Sequence, residues 1–190
     1  MKLTLTYDGP LASNGRSALK HELRRAFHPQ LKQAWQHHPL VDYVKYIEKP
    51  QSGDQDSSTG GNLRTVGSHD FAVVVGGWLS LYAELDLLLL VPEGSGSPLT
   101  ERGDIDNRLK TLFDALRCPN DPQEIPPRWQ PNEDELPLHC LLEDDRLIQR
   151  INVETDRQLD PRLPASHVRL ILRVTVKASR ATWGNLGLSG

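Results

Sequence analysis

Residues 168–177 constrain the fold more tightly than any other stretch. Val168, Leu170, Leu172, Val174 and Val176 alternate with Arg169, Arg173 and Lys177. This is the period-two pattern of a strand with one face on a core and the other toward water. Such a strand needs neighbours in a sheet and an apolar layer beneath it. Leu85, Leu87 and Leu89, within a strand predicted over 79–91, offer a second face of the same kind. Shorter strands are predicted at 2–7, at 71–75 and around Ile151 and Val153.

Two helices are predicted to supply the covering layer. From about Ser17, the residues Leu19, Leu23, Phe27, Leu31 and Trp35 recur every fourth position. Lys20, Arg24, Arg25 and Lys32 lie on the other faces of this helix. Pro29 falls inside the run and leaves open one kinked helix or two short ones. A second helix starts near Asp106, where Leu109, Leu112, Phe113 and Leu116 form a core stripe. Asp106, Lys110 and Asp114 form a separate polar stripe on that helix. Trp35, Trp78 and Tyr82 are assigned to the core.

These elements predict a mixed α/β (α+β) fold in which a mixed sheet packs against helices. At 190 residues the chain suits one domain, read as 1–180, with a frayed tail at 181–190. Two loop insertions interrupt it. Residues 50–70 are rich in Gly, Ser, Asp and Gln, and 118–141 carries six prolines without apolar periodicity. The longest apolar run, 87–91, is strand-sized, and the first residues alternate like a strand with no signal-peptide core. That points away from a membrane and toward the cytoplasm. Cys118 and Cys140 lack metal-ligand spacing and read as reduced thiols, with a disulfide as the alternative. His28, His37, His38 and His139 have no paired zinc spacing and are assigned surface or capping roles.

The chemistry concentrates in Asp104-Ile105-Asp106-Asn107-Arg108-Leu109-Lys110, followed some forty residues later by Glu143-Asp144-Asp145. Two carboxylates at the mouth of a helix can cap its free N–H groups, and the helix N-terminus stabilises their charge. A second acidic pair from a distant segment argues for more than capping. Mg²⁺ and Mn²⁺ prefer hard oxygen donors of this kind, and Lys110 would place a positive charge where a phosphate could meet it. The pattern reads as metal-assisted phosphodiester chemistry. The net charge of −3 is unevenly spread: residues 1–50 hold eight Lys/Arg against four acids, while 118–145 holds Arg128 against eight acids. Arg24, Arg25, Arg169, Arg173 and Lys177 are the candidate DNA contacts, with a solvated basic face as the plain reading.

Taken together, Gly103-Asp104-Ile105-Asp106-Asn107-Arg108-Leu109-Lys110, Phe113-Asp114-Ala115-Leu116 and Glu143-Asp144-Asp145 resemble the RusA family of Holliday-junction resolvases. Leu11-Ala12-Ser13-Asn14 is a weaker echo of that family's N-terminal segment. The resemblance implies a small mixed α/β homodimer that cuts branched DNA with Mg²⁺, for which Mn²⁺ could substitute. It implies that Asp104, Asp106 and Asp145 bind the metal, with Asp144 as an accessory ligand and Lys110 as the catalytic lysine. The two insertions and the acidic balance depart from the family pattern. Two alternatives stand beside this one: a non-cutting member that binds branched nucleic acid or a protein partner, and a metal-dependent nucleotide-processing enzyme built on the D-x-D.

Overall fold

The computed structural model describes residues 1–50, 59–92, 105–160, 162–164 and 167–188. In chain order the elements are β1 (Lys2–Pro10), α1 (Ser17–Ala34), β2 (Leu63–Val66), β3 (His69–Val75), β4 (Leu81–Pro92), α2 (Ile105–Leu116), β5 (Leu138–Leu142), β6 (Ile148–Gln158) and β7 (His167–Ala178). The strands form two mixed sheets, one ordered β1-β7-β4-β6 and the other β2-β3-β5. In the first, β7 runs antiparallel to β1 and β4, and β4 runs parallel to β6. In the second, β3 is antiparallel to β2 and parallel to β5.

The mixed α/β class is as expected from the sequence, with the sheet divided in two. The break falls between β3 and β4, where the chain passes through a 3-10 turn at Gly77–Leu79 and then Ser80 in the left-handed region at φ +53. The strand predicted from residue 79 therefore begins at Leu81.

The alternating faces pack as their pattern requires. Val168, Leu170, Leu172, Val174 and Val176 of β7 are buried, as are Leu85, Leu87 and Leu89 of β4. They meet Leu23, Phe27, Leu31 and Trp35 of α1 and its surroundings, with Leu112 and Leu116 of α2. Pro29 neither breaks α1 nor divides it. It lies on the exposed side, where water can serve the carbonyl that loses its helical donor, while buried Phe27 and Leu31 hold the helix on either side of it.

Both predicted insertions contain strands of the second sheet. β2 lies in the first, and β5 occupies the end of the second, with all five of its residues buried. Phe71, Val73, Cys118, Ile125, Leu138 and Cys140 form a small core of their own between this sheet and the proline-rich segment. That segment is tied to α1: Glu135 accepts from Arg25 Nε, and its other oxygen accepts from the Asn132 amide at 2.9 Å.

Two of the histidines assigned to the surface are interior. His28 Nδ1 accepts from the His139 amide at 2.9 Å, while its Nε2 meets the Asp134 carbonyl at 2.9 Å. Both residues are at least 95% buried. Within the described part of the tail, Leu188 and Asn185 are fully buried and Asn185 Nδ2 donates to the carbonyls of Leu79 and Arg180, while Trp183 and Leu186 are exposed. Cys118 and Cys140 are free thiols, and burial pushes them up to about 11 and about 12. Among the described residues, no helix is long and apolar enough to cross a membrane.

Candidate active site

The core stripe of α2 buries Leu112, Ala115 and Leu116 and turns the polar stripe outward. Asp106 in the first turn and Lys110 one turn later are both exposed. Residues four apart share a helix face, so carboxylate and ammonium project from one side. Asp104 lies outside the described residues.

The first turns of α2 are held by the segment after β1. The Gly15 amide donates to Thr111 Oγ1 at 2.9 Å, and that hydroxyl donates to the Asn107 carbonyl at 3.1 Å. A Cβ at Gly15 would stand 2.5 Å from Thr111 Cγ2, so the close approach requires glycine. The other end of α2 is held by Arg24. Its Nε donates to the Arg117 carbonyl at 2.9 Å and its Nη2 to the Asp114 carbonyl at 2.8 Å, capping acceptors that a helix end leaves open. Arg24 is 2% exposed. Its placement on a solvated basic face, and with it a role as a DNA contact, is therefore corrected: it is a structural cation. Asp114 is committed to Lys20 at 2.6 Å and Arg117 at 3.4 Å.

The second acidic group leaves the end of β5 beside α2. The Cys118 amide donates to the Leu142 carbonyl at 2.8 Å, and the Cys118 thiol donates to the Glu143 carbonyl at 3.3 Å. The strand end is thereby fastened to the helix end. Glu143 is a fixed anchor: Oε1 accepts from Arg64 Nε at 2.8 Å, and Oε2 accepts from the Gly77 amide at 2.7 Å. Asp144 caps the 3-10 turn Asp145–Leu147 by accepting from the Arg146 amide at 2.9 Å. The Arg146 guanidinium grips both Asp144 oxygens, at 2.9 and 2.8 Å, and holds the carboxyl down to about 2. Asp145 is exposed, and its turn packs against α2. Burial works against the charge on Arg117, but Glu124, Asp114 and Asp145 outweigh it and raise its pKa.

Among the described residues, no three His, Cys, Asp or Glu side chains converge as a group that could hold a metal ion. Asp106, Asp144 and Asp145 supply hard oxygen donors from two adjoining elements. Carboxylates are the donor type that Mg²⁺ and Mn²⁺ take, but Asp106 stands in the first turn of α2 while the acidic turn is fastened at that helix's other end, and Asp144 is engaged by Arg146.

Neither a known protein-family profile nor a curated protein matches this chain.

A groove of about 540 Å³ adjoins the acidic turn, bordered by Arg64, Thr65, Asn120, Glu143, Asp144 and Arg146. Trp78, assigned to the core from sequence, is 51% exposed and follows groove-lining Gly77, whereas Trp35 is buried as expected. Residue type alone does not separate the two tryptophans. The Gly76-Gly77 pair beside Trp78 was the available sign of a turn.

The remaining basic candidates are largely matched by neighbouring acids. Arg25 pairs with Glu135, Arg169 with Asp8 at 2.7 Å, and Lys177 with Glu84 at 2.7 Å. Arg173 is exposed and lies opposite Asp86 across the β4–β7 pair. Arg150 on β6 also grips Asp86 at 2.9 Å. The open sheet face is thus a mosaic of both charges.

Proposed function

We propose that the chain is a metal-dependent endonuclease that hydrolyses phosphodiester bonds in branched DNA, such as four-way junctions. The observation that carries this reading is the fastening of two acidic elements: β5 delivers Asp144 and Asp145 to a turn packed on the helix that presents Asp106 and Lys110. The approach of residues 11–15 to the same helix through Gly15 and Thr111 agrees with it. So does the resemblance of these segments to the RusA pattern.

In this reading Asp104, Asp106 and Asp145, with Asp144 as an accessory, would hold Mg²⁺ or Mn²⁺. The bound ion supplies Lewis-acid polarisation of the phosphoryl group. Lys110 binds a non-bridging phosphate oxygen and offsets the negative charge that grows there as the bond breaks. Glu143 holds the turn in place through both its oxygens. Arg146 grips both oxygens of Asp144 and holds it at the turn. A homodimer would set two such sites about a twofold axis, matching the symmetry of a junction.

A binding-only role is the second reading, favoured by the engagement of Asp144 with Arg146. The deciding assay is cleavage of labelled junction, flap and linear duplex DNA with Mg²⁺ or Mn²⁺, wild type beside Asp104→Asn and Asp145→Asn. Junction-selective cutting lost in the variants supports the nuclease. A folded wild-type protein that cuts none of the three substrates refutes it.

A further inference from the structure

The indole of Trp78 lies flat on the backbone at Gly61: a Cβ built there would sit 2.5, 2.6 and 2.7 Å from its Cδ1, Nε1 and Cγ. Only glycine lets the ring settle this way. The backbone beneath it is pinned on three sides. The Gly60 amide donates to the Lys45 carbonyl at 2.8 Å, the Asn62 amide to the Tyr46 carbonyl at 2.6 Å, and Arg64 Nη1 donates to the Gly61 carbonyl at 2.9 Å. The ring is nevertheless half exposed. One face rests on a rigid support and the other is open, so the indole presents a flat apolar surface held in a fixed orientation.

The surroundings narrow what that can be. Arg64, which braces the support, reaches with its Nε to Glu143, and the same carboxylate takes the amide of Gly77, the residue before Trp78. The platform and the acidic turn therefore share one anchor. The groove beside them is polar, bordered by Asn120 and by two ion pairs, Arg64 with Glu143 and Arg146 with Asp144, and the Arg146 side chain is 87% exposed. Arg146 uses Nε and Nη2 on Asp144, and its Nη1 takes no part in that pair, so a ligand suited to both parts offers an anionic oxygen to Nη1 and a flat ring to the indole. A base-paired duplex hides its base faces in the stack, whereas a single strand offers them.

We infer that this groove takes a single nucleic-acid strand, with Trp78 stacking an unpaired base and Arg146 meeting a phosphate next to it. The inference rests on the nuclease reading for the class of substrate and adds what selects the branch: a strand unpaired beside the cut. Trp78 acts here as a specificity-determining residue rather than as part of the bond-breaking machinery.

The test is fluorescence anisotropy of a labelled oligothymidylate and of a blunt duplex of equal length, without divalent metal, on the full chain. Trp78→Ala is expected to weaken single-strand binding about 5–150-fold, the usual effect of losing one aromatic–base stack. Duplex binding should change less than about twofold, and Trp78→Phe should recover most of the loss. Arg146→Gln, at a side chain whose exposure spares the fold, should lower the slope of log affinity against log salt by about 0.7, one single-strand phosphate contact. Melting curves of each variant establish that it is folded. Single-strand affinity within about twofold of wild type in folded Trp78→Ala, or an equal loss on duplex, overturns the inference. So does a wild-type protein that binds no single strand. Junction cutting by wild type that persists unchanged in Trp78→Ala removes the inference and leaves the nuclease. Trp78-dependent strand binding by a protein that cuts nothing does the reverse.

Discussion

Lowering the pH from 7 to 5 should remove a large part of the protein's stability, and three interior histidines set the size of the effect. His21 is held to about 4, chiefly by burial and then by the charges of Arg24 and Arg25. His139 is held to about 3 by burial and by His28. His28 is lowered too, mainly by burial. The hydrogen bonds give the reason atom by atom. His28 Nδ1 accepts from the His139 amide, so a proton placed there would set two donors face to face. Its ring centre is 5.3 Å from that of His139, and two imidazolium charges at that distance repel.

All three pKa values are depressed in the folded chain, so the unfolded chain binds protons first, at its ordinary value near 6.5. Stability is therefore full above that value and falls as the pH drops through it toward 4. Between pH 7 and 5, a histidine whose folded value is 4 or below costs about 2 kcal/mol. His21 and His139 together cost about 4 kcal/mol, and His28 adds in the same direction, against a typical total of about 5–15 kcal/mol. Urea titrations at pH 7, 6 and 5 should show the midpoint falling by about 2 M for a slope near 2 kcal/mol/M. The depressed carboxylates, such as Asp144 and Glu135, lose their contribution only below about pH 4.5 and stay outside this window. His21→Phe should reduce the pH dependence by about one proton. A midpoint that holds within about 0.3 M from pH 7 to 5 would refute the reasoning.

Other outcomes can be stated more briefly. Asp106→Asn and Asp145→Asn should each abolish divalent-metal-dependent junction cleavage while shifting stability by no more than about 0.5 kcal/mol, because both positions are exposed; cleavage at wild-type rate by either purified variant removes that residue from the site. Phe71→Ala empties the centre of the second core, where Phe71 is fully buried among Val73, Ile125 and Leu138. It should cost about 3–5 kcal/mol by urea unfolding. A loss below about 1 kcal/mol would mean that this cluster collapses to fill the space.

Some of this architecture was legible in the sequence because it is half-buried. The strand over 168–177 and the helix from Asp106 show their periods, since one face of each meets water and the other does not. β5 shows none: all five residues of Leu138-His139-Cys140-Leu141-Leu142 are buried, so no polar face marks the register, and the prolines before it read as loop. The histidines misled for a related reason, because an imidazole that satisfies interior backbone groups looks like a surface one in sequence. Arg24 sits among three other bases on α1, and only the approach of the end of α2 distinguishes it. At the candidate site, the residue types and spacing of Asp106, Lys110, Asp144 and Asp145 were legible. The engagement of Asp144 by Arg146, and the exposure of Trp78, depend on contacts between segments far apart in the chain.

Arg24 shows how closely fold and site are joined. Its guanidinium supplies donors to two carbonyls at the end of α2, and its own backbone belongs to α1. Immediately beyond those carbonyls, Cys118 is bonded to Leu142, and two residues past Leu142 the acidic turn begins. The separation of the helix bearing Asp106 from the turn bearing Asp145 thus depends on a buried cation that bonds to neither carboxylate. Arg24→Met keeps the length and apolar volume but removes the donors. Each orphaned carbonyl costs about 1–3 kcal/mol, which predicts a loss of about 2–6 kcal/mol in urea unfolding. At pH 7 and low temperature, where the variant stays folded, junction cleavage should fall further than the unfolded fraction accounts for, and the concentration of Mg²⁺ needed for half-maximal rate should rise. An unchanged Mg²⁺ requirement in the folded variant would mean that the turn finds its position without the helix end, and that the stability loss and the site are separate matters.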